Sequence, residues 1–104
     1  MTHYAIETLF GDDDGWRSVT RDLVHLWPDA SILEICFALV GAASAVEGQF
    51  NANSPSRALS AQAYRLAALV TADLYAMQTI GGYGSNARDL AAYWRDHDNY
   101  FLTL

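Results

Sequence analysis

The residues of this chain that could do chemistry are few and stand apart from one another. His3, His25 and His97 fall in three different segments, without the His-x-x-x-His or Glu-x-x-His spacing that places two metal ligands on one helix face. No Ser/His/Asp or Cys/His set that could act in nucleophilic catalysis comes together in the sequence. The acidic run 12–14 could hold a cation, but a lone run of this kind is more typical of a solvated loop. The sequence therefore predicts no catalytic residue and no metal site.

One glycine-rich segment, 78–84, stands out from the rest of the chain. It reads Gln-Thr-Ile-Gly-Gly-Tyr-Gly and follows a long alanine-rich stretch. Taken alone it is typical of the end of a helix, because glycine tolerates the positive φ that closes one. Fourteen residues after Gly81 comes Arg95-Asp96, within what the apolar spacing predicts to be the next helix. This combination is the strongest functional signal in the sequence.

The elements that would position this segment are all helical. Apolar residues recur at intervals of three and four, and no alternating strand pattern competes with them. Asp14 is expected to cap the second helix, Ser54 the fourth and Ser85 the last, while Pro28 breaks the chain before the third. The predicted helices are 3–10, 16–27, 29–50, 55–80 and a last helix from 85 that reaches Phe101. We expect one domain, 1–104, with an all-α fold: an up-down helical bundle of about four helices.

The third predicted helix is apolar on more than one side. Its inward stripe has a 4-3-4-3-4 spacing and consists of Ile32, Cys36, Leu39, Ala43, Val46 and Phe50. Outside that stripe, Leu33, Phe37 and Val40 are apolar as well. A helix of this kind is expected to pack on more than one side, at the centre of the bundle. In the following helix, a neighbour could approach closely over the alanines Ala61, Ala67, Ala68 and Ala72.

Composition excludes several classes of protein. A net charge of −6 without a single lysine argues against direct nucleic-acid binding, since phosphate contact requires a basic face. The lone Cys36 excludes a disulfide framework and fits a reducing compartment. The longest apolar stretch, 35–46, is too short to span a bilayer, and the first residues do not read as a signal peptide. We therefore expect a soluble cytoplasmic protein that does not act on membranes.

The glycine segment and the helix after it resemble the end of the C-terminal helical domain of the acyl-CoA dehydrogenase family, which includes related flavin monooxygenases. The shared pattern is Gln-x-x-Gly-Gly-x-Gly at 78–84 followed by Arg-Asp at 95–96. A further family pattern, Tyr-Ala-x-x-Arg-x-x-Phe-Gly, has a loose and shortened counterpart at 4–11. The resemblance implies a four-helix bundle, which agrees with the fold that the periodicity predicts.

The resemblance also implies a flavin shared between subunits. In that family the glutamine and the glycines contact the FAD of a neighbouring subunit, and glycines allow backbone amides to approach its pyrophosphate. Carried over by position, the implied cofactor-binding residues are Gln78, Gly81, Gly82 and Gly84. The arginine of the upstream pattern has no counterpart, and Leu104 stands where many dehydrogenases carry the catalytic glutamate. No general base of this chain is therefore implied.

Two function classes follow. The first is a non-catalytic or accessory bundle that assembles with itself or with a fuller acyl-CoA dehydrogenase-like chain and contributes its glycine loop to an FAD site in trans. The second is a small acidic helical protein without flavin, acting as a regulatory or inhibitory binding module or as a nucleic-acid mimic. A charge of −6 is mild for such mimicry. An enzyme that works on its own is not expected under either hypothesis.

Overall fold

The spaced apolar residues form six helices in the computed structural model, which describes residues 1–47 and 55–104. No strand occurs within these ranges, so the predicted all-α bundle is confirmed. None of the described helices combines the length and the apolarity needed to cross a membrane. The helices are α1 (Thr2–Gly11), α2 (Val19–Leu26), α3 (Ile32–Glu47), α4 (Pro55–Ile80), α5 (Ala87–Asp96) and α6 (Tyr100–Thr103), with a short 3-10 turn at Gly15–Arg17.

The spine of the bundle is the antiparallel pair α3 and α4. The hydroxyl of Tyr64 donates to Glu47 Oε2 at 2.7 Å, and Cys36 Sγ lies 3.5 Å from Thr71 Oγ1, so residue numbers rise along α3 as they fall along α4. Between the two helices lies the main part of the core. The apolar side chains of these helices that are 0% exposed are Ile32, Ile35, Leu39, Ala42, Ala43, Ala63, Leu66 and Val70.

The third helix begins later than predicted. Ser31 Oγ accepts a hydrogen bond from the Glu34 amide at 3.1 Å, and Glu34 Oε1 accepts from the Ser31 amide at 3.3 Å. This reciprocal capping fixes the start of α3 at Ile32 rather than at Asp29. The predicted end of the helix at Phe50, the turn 51–54 and the Ser54 cap lie outside the described residues.

The acidic loop packs closely on α1. The prediction that Asp14 caps the second helix is wrong. Asp14 makes no side-chain capping bond, and its carboxylate lies 3.5 Å from Arg17 Nε. The helix after it, α2, begins only at Val19, because the chain first forms the 3-10 turn. Gly15 is required there, since a Cβ at this position would overlap the Thr8 carbonyl oxygen of α1.

The C-terminal part closes the bundle with two helices instead of the single one predicted. Asn86, not Ser85, caps α5, which ends at Asp96. The chain then turns and starts α6, and this places the Phe101 ring 4.9 Å from the Trp94 ring, both fully buried. The Ile32 amide donates to the Ser85 carbonyl at 2.8 Å, so the start of α5 is tied to the start of α3.

Candidate functional site

The predicted cofactor loop lies between α4 and α5, on the surface. Gln78, Gly81, Gly82 and Gly84 are all exposed. Gly81 and Gly82 adopt φ angles of 82° and 84°, and the Gly81 amide donates to the Met77 carbonyl at 2.9 Å. This is the geometry that ends a helix with glycine in the left-handed region. The structure thus places the three glycines in one loop and Gln78 in the last turn of α4, and helix termination accounts for the two adjacent glycines.

The helix N-terminus that follows this loop is not free for an anion. The Asp89 carboxylate folds back and accepts a hydrogen bond from the Asn86 amide at 3.0 Å, while the Asn86 side chain caps the Asp89 amide. Gly84 packs directly against that carboxylate, which leaves no room for a Cβ. A pyrophosphate placed here would meet a negative charge instead of unpaired amides. The residues present do not fit the diphosphate of FAD at this helix N-terminus.

An aromatic cluster holds the loop against α5. The Tyr83 hydroxyl donates to Asp96 Oδ2 at 2.9 Å, and the Tyr83 ring lies edge-on to the rings of Tyr93 and His97, with centroids 5.9 and 6.0 Å away. Asp96 therefore has a structural partner in the loop itself. The Asp96 of the Arg-Asp pattern therefore anchors the loop to α5.

A buried carboxylate that sequence reasoning missed lies on α4 and contacts α5. Asp73 of α4 is 8% exposed, and Trp94 Nε1 donates to its Oδ2 at 3.0 Å. Burial raises the pKa of Asp73 from 3.8 to about 6; the Trp94 hydrogen bond opposes this, and the negative charge of Asp98 adds to it. One sequence feature could have identified it, since Asp73 is the one charged residue between Arg65 and Arg88.

The remaining polar groups do not form a reactive set. His3 Nε2 lies 2.9 Å from Glu7 Oε1 on the exposed side of α1, and His97 packs on Tyr93 with ring centroids 5.6 Å apart. In the described ranges, no three His, Cys, Asp or Glu side chains converge as metal ligands do. An open pocket of about 250 Å³ at the α5–α6 junction mixes cationic and anionic groups; its lining is Trp94, Arg95, Asp96, His97, Asp98 and Asn99.

An apolar surface formed by α3 and α4 is exposed to solvent. We define the α3–α4 face as the exposed surface of Leu33, Phe37, Val40, Ala68, Ala72 and Tyr75. Phe37 and Tyr75 are each 73% exposed, and Leu33 is 62% exposed. The expectation that α3 packs on more than one side is confirmed, since it contacts both α1 and α4. The side that carries Leu33 and Phe37 is not covered by any described element. Of the alanines predicted to admit a neighbouring helix, Ala67 packs inside while Ala61, Ala68 and Ala72 face outward.

The two halves of this face are continuous. Cys36 and Thr71 touch at the outer edge of the α3–α4 contact, where their side-chain atoms are 3.5 Å apart. Leu33 and Val40 lie one helical turn on either side of Cys36, and Tyr75 lies one turn from Thr71. The exposed rows of α3 and α4 therefore meet along one seam. Burial raises the pKa of the Cys36 thiol, which stays protonated at neutral pH.

The face carries no charge. Along α3 there is no charged residue between Glu34 and Glu47, and along α4 the sole charged residue after Arg65 is the buried Asp73, which contacts Trp94 on another side of the helix. Burying this surface costs little solvation free energy, because it contains no ionic group. The α3–α4 face has the composition of an interface core.

Comparison with known proteins supplies no relative. No protein-family model, curated protein or solved structure matches the chain. The resemblance to the acyl-CoA dehydrogenase family stays a prediction, and the function is argued from the chain's own surface.

Proposed function

We propose that the chain is a non-catalytic assembly module that binds a protein partner through the α3–α4 face. The observation that carries this proposal is the exposure of Phe37 and Tyr75 in one continuous, uncharged surface. Single exposed apolar residues are ordinary, but contiguous apolar patches of more than a few hundred Å² mark binding sites. The matching partner surface is apolar, uncharged and helical, because the exposed Ala68 and Ala72 admit a helix at close range.

The cytoplasm is the compartment that we propose for this module. Cys36 lies in the core with its Sγ 3.8 Å from the Ala67 carbonyl oxygen, and a reducing environment keeps such a thiol free.

Affinity purification from the native host tests this function. Tagged wild-type chain is compared with Leu33→Asp in the face and with Leu26→Asp, a matched control at a 55% exposed leucine of α2. We expect wild type and the Leu26 variant to retain the same identified partner, either a copy of the chain or another protein, and the Leu33 variant to lose it. Equal retention by all three proteins would contradict the proposal.

A contribution to a flavin site on a fuller acyl-CoA dehydrogenase-like chain is the second candidate. It is favoured by the two positive-φ glycines in an exposed loop and opposed by the Asp89 carboxylate beside them. Titration with FAD, with and without the co-purified partner, measures uptake by flavin fluorescence. Asp89→Asn keeps a capping side chain and removes the charge, so uptake by wild type that strengthens in this variant supports the candidate, whereas uptake by the variant alone argues against it. Absence of uptake by both proteins argues against it.

The acidic binding module of the sequence analysis differs from both in its salt response. The exposed run of Asp12, Asp13 and Asp14 is the feature that favours it. A complex held by these charges weakens steeply as salt rises, whereas one held by the α3–α4 face does not. Measurement of partner retention at low and at high salt separates the two.

A further inference from the structure

We infer that the segment 97–104, which we call the latch, is closed on Trp94 while Asp73 is protonated and opens more often once Asp73 ionises. This pH-dependent device involves neither the α3–α4 face nor a partner. Three features of the fold support it: a core carboxylate without a cation, a second carboxylate on the latch, and the few contacts that hold the latch in place.

Asp73 is buried without a cationic partner. Its side chain is 8% exposed, and its Oδ2 accepts a hydrogen bond from Trp94 Nε1 at 3.0 Å. Among the described residues, no arginine or histidine of any element packed against α4 forms an ion pair with it. Its titratable neighbours are Asp98, whose negative charge opposes its ionisation, and Tyr93, which stays neutral because burial raises its pKa above 10. An ionised Asp73 is therefore an uncompensated charge inside the core.

The latch carries the opposing charge. Asp98 lies between α5 and α6 within the latch, and after burial its charge is the second cause that keeps Asp73 protonated. Trp94 contacts the Asp73 carboxylate from α5 and is itself packed against Phe101 of the latch. Movement of the latch away from Trp94 therefore removes a repulsion and lets water approach the carboxylate. Both changes favour ionised Asp73.

Few contacts hold the latch closed. Its helix α6 is a single turn of four residues, and Phe101 is the one buried side chain of that helix, with its ring 4.9 Å from that of Trp94. At the surface, the Tyr100 hydroxyl accepts from Arg65 Nη1 at 3.4 Å, which is long for such a bond. The start of α5 is fixed more firmly, because three backbone hydrogen bonds join 85–88 to the residues before α3. Local opening is expected where buried contacts are few, which is at the latch.

The direction of the pH effect follows from the two protonation states. With the latch closed, the pKa of Asp73 is about 6, and with the latch open, hydration and the loss of the Asp98 charge return it towards 3.8. A carboxyl with a raised pKa stabilises the closed form fully below the lower value, and this contribution is lost as pH rises through 6. Opening should therefore become about tenfold more favourable between pH 5 and pH 7.5, and it exposes the rings of Trp94 and Phe101.

Exchange of the Trp94 indole proton with solvent, followed by NMR on the intact chain, tests the latch, because this is the proton that Asp73 accepts. Dividing each rate by that of a free indole at the same pH gives the opening constant. We expect it to rise about tenfold from pH 5 to pH 7.5 in wild type and to be independent of pH in Asp73→Asn. Asp96→Asn is the matched control, since it removes an acid of α5 that contacts Tyr83, and it should behave as wild type does.

Two further measurements separate latch opening from unfolding of the whole chain. The backbone amides of Leu39 and Val70, in the core, should have opening constants at least about tenfold smaller than the Trp94 indole at pH 7.5. Phe101→Leu, shown to be folded by circular dichroism, should raise the indole opening constant at least about threefold at pH 5. Equal opening constants for indole and core amides, no effect of Phe101→Leu, or the same pH dependence in wild type and Asp73→Asn would each overturn the latch.

Discussion

Replacing Asp73 with asparagine should stabilise the protein at neutral pH and leave its stability in acid unchanged. The native carboxylate is buried beside Trp94 and has a pKa of about 6 instead of 3.8. A carboxyl whose pKa is raised by folding binds its proton more tightly in the folded state. Its favourable contribution is fully present below about pH 4 and is lost as pH rises through 6. Asparagine is neutral at every pH and keeps an oxygen that accepts from Trp94 Nε1.

The size of the effect follows from the shift in pKa. A difference of about 2 units corresponds to at most about 3 kcal/mol between acid and neutral solution. Water and salt screen the repulsion from Asp98, which is exposed, so we expect Asp73→Asn to gain about 1–3 kcal/mol at pH 7. The two proteins should have equal stability near pH 4. Because all other titrating groups are shared, the difference between the two curves isolates Asp73.

The assay is urea unfolding followed by circular dichroism at pH 4, 5, 6, 7 and 8, with both proteins measured in the same buffers. Asp98→Asn serves as the matched control: it removes the neighbouring charge and should lower the midpoint of the pH dependence without abolishing it. A difference between wild type and Asp73→Asn that is constant across this range would refute the reasoning, since it would mean that folding does not change the Asp73 pKa. A loss of stability at pH 7 would refute it as well.

Three further substitutions, one of them with a matched control, test the local structure. Gly15→Ala should lower the free energy of unfolding by about 1–3 kcal/mol, because its Cβ overlaps the Thr8 carbonyl oxygen. The Cβ of Gly11→Ala meets no atom within 4 Å, so this control should be neutral. Urea unfolding compares the two variants, and equal stabilities would contradict the close approach. Thr20→Val should gain about 1 kcal/mol, since Thr20 Oγ1 is buried and finds no hydrogen-bond partner among the described residues; a destabilised variant would show that the hydroxyl has one. Ser31→Ala should cost about 1 kcal/mol in the same assay through loss of the α3 cap, and unchanged stability would show that the cap is dispensable.

The sequence predicts the helices well where helix-terminating residues and apolar periodicity agree. The fourth helix was predicted at 55–80 and lies at Pro55–Ile80, because proline at its first position and glycine after its last leave little choice. The prediction was wrong where two local structures compete: Asp14 has the chemistry of a cap, yet the approach of Gly15 to Thr8 imposes a 3-10 turn first. A contact between two separate segments cannot be predicted from the sequence of either segment alone.

The candidate site was less predictable for the same reason. The glycine loop was located correctly, but its meaning depends on Asp89, whose carboxylate occupies the amide that an anion would need. The role of Asp73 depends on Trp94, 21 residues away in the chain. The pattern of α3 showed that Leu33 and Phe37 are apolar, and it did not show which apolar side of the helix the chain itself would cover.

The exposed face and the buried carboxylate bear on the same property of the chain. A domain of 104 residues has a small margin of stability, and this one holds an ionisable group in its core while it leaves two aromatic side chains of the α3–α4 face in water. The buried carboxylate lowers the stability of the isolated chain at neutral pH, and the exposed aromatic rings contribute little burial to it. A partner that binds only the folded state raises the free energy of unfolding by mass action. A partner on the α3–α4 face would therefore offset the destabilisation caused by Asp73 without contacting this residue. The observed balance of burial and exposure agrees with the assembly module that we propose.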